Sequence, residues 1–341
     1  MDNILNIKSG AINEFYDIMK SNNITGNFLF ITDEFLDGLF GDKIKPQIEK
    51  LGTIQVEYVK DNSIEYSMKI SEKIIENDID YLVGMGGGRV LDVGKYAAYI
   101  SKIPFISVPT TMANDGLASP IAVLKKKDGK VKSLGCIMPK AIILDINFIQ
   151  NSPIQLIKAG IGDTISNYMA LKDWKNAYLK GKEKINNFAY LMSENALDAL
   201  MKTNYTSICP EFIKVLANSL ILSGIAMEFA GSSRPVSGSE HLFSHALDYY
   251  TDHNNLHGIQ VALGTIVMLK LLGEDYSALL EYLKKFEVEI NPEKLGITKE
   301  EFILCINRAS SMRPKRYTYL NEIKIDEKNL EKIYEELKEE L

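Results

Sequence analysis

The stretch YLVGMGGGRVLDVGKYAAYI, residues 81–100, decides the fold. Its first residues form a short apolar run, the signature of a strand buried on both faces of a parallel sheet. The glycines Gly86, Gly87 and Gly88 end that run, and VLDVGKYAAYI then carries apolar residues at helical spacing. A strand that turns through glycines into a helix lets the backbone approach a pyrophosphate, and the helix start offers free N–H groups and a favourable dipole. The spacing is not GxGxxG, so the ordinary dinucleotide fingerprint does not apply, and a flexible turn is the competing reading. Lys95, on the helix, either faces a phosphate or nicotinamide or pairs with Asp92 three residues earlier.

Outward from this stretch the pattern repeats. GNFLFIT (26–32), TIQVEYV (53–59), PFISVPT (104–110) and AIILD (141–145) read as strands, and SIEYSMKISEKIIEN (63–77) reads as a helix. Strand, crossover helix, strand predicts an α/β unit with a parallel sheet. IAVLKKKDGKVKSLG (121–135) reads as a hairpin turning at Asp128-Gly129. After about residue 151 apolar residues recur at three and four, as in FIKVLANSLILSGIAMEF and GIQVALGTIVMLKLL, so an all-α unit is expected. Ser152-Pro153 marks the boundary, since proline disfavours helix in the residue before it. The expected domains are 1–151, dinucleotide-binding, and 152–341, helical and binding metal and substrate.

Composition narrows the class. With 46% hydrophobic and 25% charged residues, the 341-residue chain reads as a soluble globular protein. A net charge of -6 offers no basic footprint for nucleic acid. The apolar runs YLVGMGGG and AIILD are too short for membrane insertion, and MDNILNIKSG lacks the basic and apolar regions of a signal peptide. Cys136, Cys209 and Cys305 are far apart, which argues for reduced thiols in a cytoplasmic protein. Exposed helical surface is compatible with a homo-oligomer.

All four histidines fall between His241 and His257. His241 and His245 are four apart and share one face of a helix. His257 opens the next apolar stretch, while His253 lies in the polar loop DYYTDHNN and is expected in solvent. Two imidazoles and one carboxylate leave open positions on a catalytic metal, and zinc, nickel or iron all suit that donor set. The candidate carboxylate is Asp163 in GIGDT, the expected start of a helix, where a helix cap is the other reading. PTTMANDGLASP (109–120) follows a strand at its carboxyl end, where open parallel sheets bind ligands. Its hydroxyls and single acid suit cofactor and polyol contacts, or capping. Asp33, at the end of strand 26–32, is placed to accept hydrogen bonds from an adenosine ribose, which favours NAD over NADP.

GMGGGRVLDVGKYAAY, PFISVPTTMANDGLASP, AGIGDT, SSRPVSGSEHLFSHALD and LHGIQVALGT together resemble the glycerol-1-phosphate dehydrogenases, within the superfamily of iron-containing alcohol dehydrogenases, glycerol dehydrogenases and dehydroquinate synthases. The matching segments run in order over residues 81–265. The resemblance implies a dinucleotide-binding α/β domain and a helical domain with the active site in the cleft between them. By position it implies that Gly86, Gly87, Gly88, Arg89 and Val90 form the pyrophosphate loop. Thr110, Thr111, Met112, Ala113 and Ser119 become further cofactor contacts and Asp115 a substrate contact. Asp163, His241 and His257 become the metal ligands, and His245 either supports those ligands or faces substrate rather than binding the metal. The implied activity is metal-dependent, NAD(P)H-linked reduction of dihydroxyacetone phosphate to sn-glycerol-1-phosphate, and the reverse. The rivals are a dehydrogenase of glycerol or another small diol and a dehydroquinate-synthase-like lyase. Arg234, seven residues before His241, suits a substrate phosphate or a salt bridge at a helix start.

Overall fold

The computed structural model describes residues 3–339. It divides into two compact units. One takes the chain up to Met112 together with Gly116–Pro153, and the other takes Ala113–Asp115 together with the chain from Ile154 onward.

The first unit is built on β1 (Ile4–Lys8), β2 (Gly26–Thr32), β3 (Gly52–Tyr58), β4 (Tyr81–Gly86), β5 (Phe105–Pro109), β6 (Ile121–Lys125), β7 (Val131–Gly135) and β8 (Ala141–Asp145). Its helices are α1 (Phe15–Ser21), α2 (Glu34–Leu36), α3 (Asp42–Glu49), α4 (Ile64–Glu76), α5 (Gly88–Ser101) and α6 (Ile146–Gln150). Six strands pair in the order β1-β8-β5-β4-β2-β3. All five pairings are parallel. β5 and β8 are buried throughout, as continuous apolar runs under helices must be. Phe28, Phe30 and Phe105 are fully buried, and each such side chain contributes roughly 1.5–3 kcal/mol. Successive strands β2 and β3 run to one side of the sheet, and β4, β5 and β8 run to the other. The loops after β2 and β4 therefore part at a switch in strand order, where open α/β sheets bind ligands. β6 and β7 form a separate antiparallel hairpin, turning where Gly129 takes a φ of 79° that an L side chain rarely adopts.

Sequence periodicity does not disclose β1. ILNIK is only partly buried and pairs with β8 alone, so this edge strand lacks the apolar run of a central one.

The second unit consists of α7 (Ile154–Leu179), α8 (Asn187–Met201), α9 (Pro210–Ala230), α10 (Ser239–Tyr250), α11 (His257–Leu272), α12 (Ser277–Lys285), α13 (Lys299–Met312) and α14 (Glu327–Glu339), with no strand among the described residues. α10 packs against α11 and α13, and α7 packs along α11. By length and composition α9 is the one described helix apolar enough to cross a membrane, although 61% of that stretch is buried inside the protein.

α7 corrects one expectation. Asp163 does not start a helix: it lies inside α7, nine residues from its first residue. The glycines of GIGDT read as a helix boundary, but Gly162 serves a close crossing. A Cβ there would overlap the Gly258 carbonyl of α11, and a Cβ on Gly258 would overlap the Ala159 carbonyl of α7. Two glycines thus bring the helices together beside Asp163 and His257.

Candidate metal and cofactor sites

Three side chains of the second unit converge. One ligand atom each from Asp163, His241 and His257 lies within 4.8 Å of the others. Nε2 of His257 stands 3.9 Å from Oδ1 of Asp163. The other Asp163 oxygen, Oδ2, accepts the backbone N–H of Asp115 at 2.9 Å, which turns Oδ1 toward the histidines. Burial and the Asp115 charge push the Asp163 carboxyl well above its ordinary range. Burial pushes the His241 and His257 imidazoles down to about 3. The Asp163 carboxylate is therefore costly to hold charged here without a cation, while both imidazoles stay neutral.

The hydrogen bonds around the rings fix which nitrogen is available. Nδ1 of His241 lies 2.7 Å from Oε1 of buried Glu240, so its N–H points at the carboxylate and Nε2 keeps the lone pair. For His257 the same result comes through a chain. Gln260 Nε2 donates to Asp248 at 3.1 Å, so the Gln260 oxygen is an acceptor. The Ser244 hydroxyl donates to that oxygen at 2.6 Å, which leaves the Ser244 oxygen to accept Nδ1–H of His257 at 3.1 Å. Both Nε2 atoms thus join a carboxylate oxygen as unprotonated donors, as a divalent metal requires. The donor set therefore fits such an ion.

His245 stands beside this set, its ring centroid 6.4 Å from those of both His241 and His257. Burial and the nearby Arg313 charge hold it well below its ordinary pKa, so its imidazole is neutral. His253 is elsewhere, paired with Glu301 at 2.9 Å. Glu240, Ser244, Asp248 and Gln260 escaped the sequence reading. Helical spacing was their only signal, since Ser244 lies three residues after His241 and Gln260 three after His257.

In the first unit the glycine loop closes β4 onto α5, whose N-cap is Gly87. A side chain on Gly88 would point into open space, the gap through which a phosphate can reach the first amides of α5. Gly86 has no such room, because a Cβ there would meet Val90. Val90 is itself buried, so it has only backbone to offer a ligand. Thr111 flanks Gly87, its Oγ1 lying 3.0 Å from where a Cβ would stand. Thr110, Met112 and Ser119 are buried. Ala113 and Asp115 belong to the second unit.

Lys95 requires a correction as a cofactor contact. It is fully buried, 3.0 Å from Asp92, and donates to the carbonyls of Gly116, Ser119 and Ile121. Its ammonium ties the loop after β5 to α5 and leaves no donor for a nucleotide. Arg234 is likewise committed. Nε lies 2.8 Å from Glu183, and Nη2 donates to the Tyr317 carbonyl at 2.8 Å, so the salt-bridge reading accounts for its placement. Asp33 caps α2 through Oδ1, accepting Leu36 N–H at 2.8 Å, and its other oxygen lies 3.9 Å from Arg89. A guanidinium beside this carboxylate offsets the repulsion expected to exclude a ribose phosphate.

Residues 6–153 match the model of the iron-containing alcohol dehydrogenase family. The glycerol-1-phosphate dehydrogenase [NAD(P)+] of Hyperthermus butylicus is 35% identical over 93% of this chain and 91% of its own. That of Sulfurisphaera tokodaii is 36% identical over 95% of this chain and 93% of its own. In fold, the chain is similar to a glycerol dehydrogenase from Schizosaccharomyces pombe, with a TM-score of 0.79 at 20% identity, covering 99% of this chain and 89% of that one. A probable glycerol dehydrogenase from Sinorhizobium meliloti superposes with a TM-score of 0.78 at 18% identity, covering 99% and 96%. These two likenesses establish the architecture. Identity above 30% across nine-tenths of both chains goes further: the chain belongs to the glycerol-1-phosphate dehydrogenase family.

Proposed function

We propose that this protein is a metal-dependent, NAD(P)-linked oxidoreductase that interconverts dihydroxyacetone phosphate and sn-glycerol-1-phosphate. The observation that carries the reading is the Asp163, His241 and His257 set, with both Nε2 atoms left as donors. These three residues would hold one divalent ion, with zinc, nickel and iron all suited to the set. When bound, the ion supplies Lewis-acid polarisation of a carbonyl and the reduced nicotinamide supplies a hydride.

The chain's own residues do the rest. Gly86, Gly87, Gly88 and the first amides of α5 bind the pyrophosphate, with Thr111 beside them. Asp115 orients the substrate hydroxyl, and its backbone N–H holds the Asp163 carboxylate in place. His245 relays the proton that the product's C2 oxygen takes up as the hydride reaches C2. Asp33 and Arg89 face the adenosine ribose together, which accommodates both NAD and NADP. We assign the protein to the cytoplasm, in keeping with three free cysteines. Exposed Leu179, Phe188, Leu191 and Phe229 fit a homo-oligomer.

The test is NADH oxidation by metal-reconstituted protein with dihydroxyacetone phosphate or dihydroxyacetone. Turnover on the phosphorylated ketone, with the sn-1 product, is expected. Turnover on dihydroxyacetone alone would move the protein to the diol dehydrogenases.

A further inference from the structure

The region beside the metal set holds a cluster of cations that the sequence reading missed. Arg313 ends α13, and Arg316 lies three residues beyond it. Both reach the segment that leads into α10. Nη2 of Arg316 donates to the Ser233 hydroxyl oxygen at 2.9 Å, Nη1 of Arg313 approaches the same oxygen at 3.4 Å, and Nη1 of Arg316 donates to the Ser237 carbonyl. Two guanidinium groups thus share one neutral hydroxyl, six residues before the first residue of the helix that carries His241 and His245. With both lone pairs of Ser233 directed at these donors, its O–H is left to donate. Nη1 of Arg234, in the same segment, is buried with no hydrogen-bond partner among the described residues.

The Arg316 bond to the Ser237 carbonyl, four residues before His241, and the packing of α13 on α10 set both cations beside the helix that carries His241 and His245. The pKa of Arg316 is lowered to about 10, chiefly by burial and then by Arg313 and Arg234, with Glu183 and Glu240 opposing. Like charges gathered in a partly buried place are stabilised by an anion, and a phosphate dianion accepts the planar forks of two guanidinium groups.

We propose that Arg313 and Arg316, bridged by Ser233, form the subsite that holds the substrate's phosphate and selects phosphorylated over free ketones. This rests on the reading of the protein as a reductase of dihydroxyacetone phosphate. Arg234 has a different part, tying its segment to Glu183 and to the Tyr317 carbonyl.

The experiment compares wild type with Arg313→Gln, Arg313→Lys and Arg316→Lys in the metal-loaded protein. One readout is the ratio of kcat/KM for dihydroxyacetone phosphate to that for dihydroxyacetone. The other is the Kd of inorganic phosphate by calorimetry. Losing a charge-assisted pair should lower the ratio about 10- to 100-fold in Arg313→Gln, mainly through KM, and weaken phosphate binding by a similar factor. Arg313→Lys should recover part of both, since it keeps the charge without the fork. An equal fall in both efficiencies, or an unchanged phosphate Kd, would overturn the subsite. A wild type that binds phosphate through Arg313 yet does not reduce dihydroxyacetone phosphate would refute the activity and leave the anion site standing.

Discussion

Gly162→Ala tests whether the crossing of α7 and α11 sets the geometry of the metal site. The added Cβ would overlap the Gly258 carbonyl oxygen and stand 3.0 Å from both the Gly258 carbonyl carbon and the Ala262 Cβ. Carbon atoms pack best at about 3.5–4.0 Å, so the helices must part by roughly 0.5–1 Å. Asp163 and His257 are the next residue and the preceding one along these same helices, so the parting falls directly on their separation. At 3.9 Å, Oδ1 of Asp163 and Nε2 of His257 are near the spacing of two ligands on one ion. Tetrahedral bonds of about 2.1 Å place their ends about 3.4 Å apart, and even opposed bonds span only about 4.2 Å. A parting of about 0.5–1 Å takes the pair to about 4.4–4.9 Å, beyond the reach of a single ion with both bonds intact. The substitution should weaken metal binding about 100-fold, the upper end of what misdirected ligands cost. Stability should move far less. Alanine gains up to about 1 kcal/mol in helix propensity against about 1–3 kcal/mol for overpacking. The assay is zinc competition against a chromophoric chelator, with urea unfolding of metal-free protein as the control. Wild-type zinc affinity in Gly162→Ala would refute the claim that the two glycines set the ligand spacing.

Two other outcomes follow from buried groups. Lys95→Met removes the cation that joins Asp92 to three loop carbonyls; it should cost about 3–5 kcal/mol and lower the melting temperature by roughly 10 °C. A change under about 2 °C in calorimetry would mean that the loop is held otherwise. The pH dependence of metal-free protein should also respond to Asp173, which burial raises to about 7 while the N–H groups of Ser239 and Tyr319 bond its oxygens. Its folded pKa exceeds the unfolded value, so the native state binds the extra proton and stability grows as pH falls from 7 toward 4. His241, lowered to about 3, acts with the opposite sign: its contribution is present above pH 6.5 and lost as pH falls. Asp173→Asn removes the compensating acid, so stability from urea unfolding should fall more steeply than in wild type between pH 6.5 and 4.5, by about 1.4 kcal/mol per pH unit. Parallel profiles would show that Asp173 is ionised throughout.

The sequence by itself determined the architecture and most of the site's composition. β2 and β4 appear at their observed bounds because a buried parallel strand is an unbroken apolar run, and that pattern is local. The three glycines are legible as the turn from strand to helix, and a Cβ on Gly86 would meet Val90. The histidines of α10 and α11 are legible because helical spacing and one short loop bring them together. Packing alone decided the rest. Asp163 looked like a helix start because Gly162 weakens a helix locally; only the approach of α11 shows that the glycine makes room for a neighbouring backbone. Lys95 carries the same charge whether it meets a nucleotide or the carbonyls of Gly116 and Ser119, and burial chose the carbonyls. Arg313 and Arg316 lie more than 70 residues from His241 in the chain, so no periodicity links them. The contact of α13 with α10 brings them to Ser233. Charge and hydrogen-bonding capacity are written residue by residue, but which partners they meet depends on surfaces that exist only once the helices have packed.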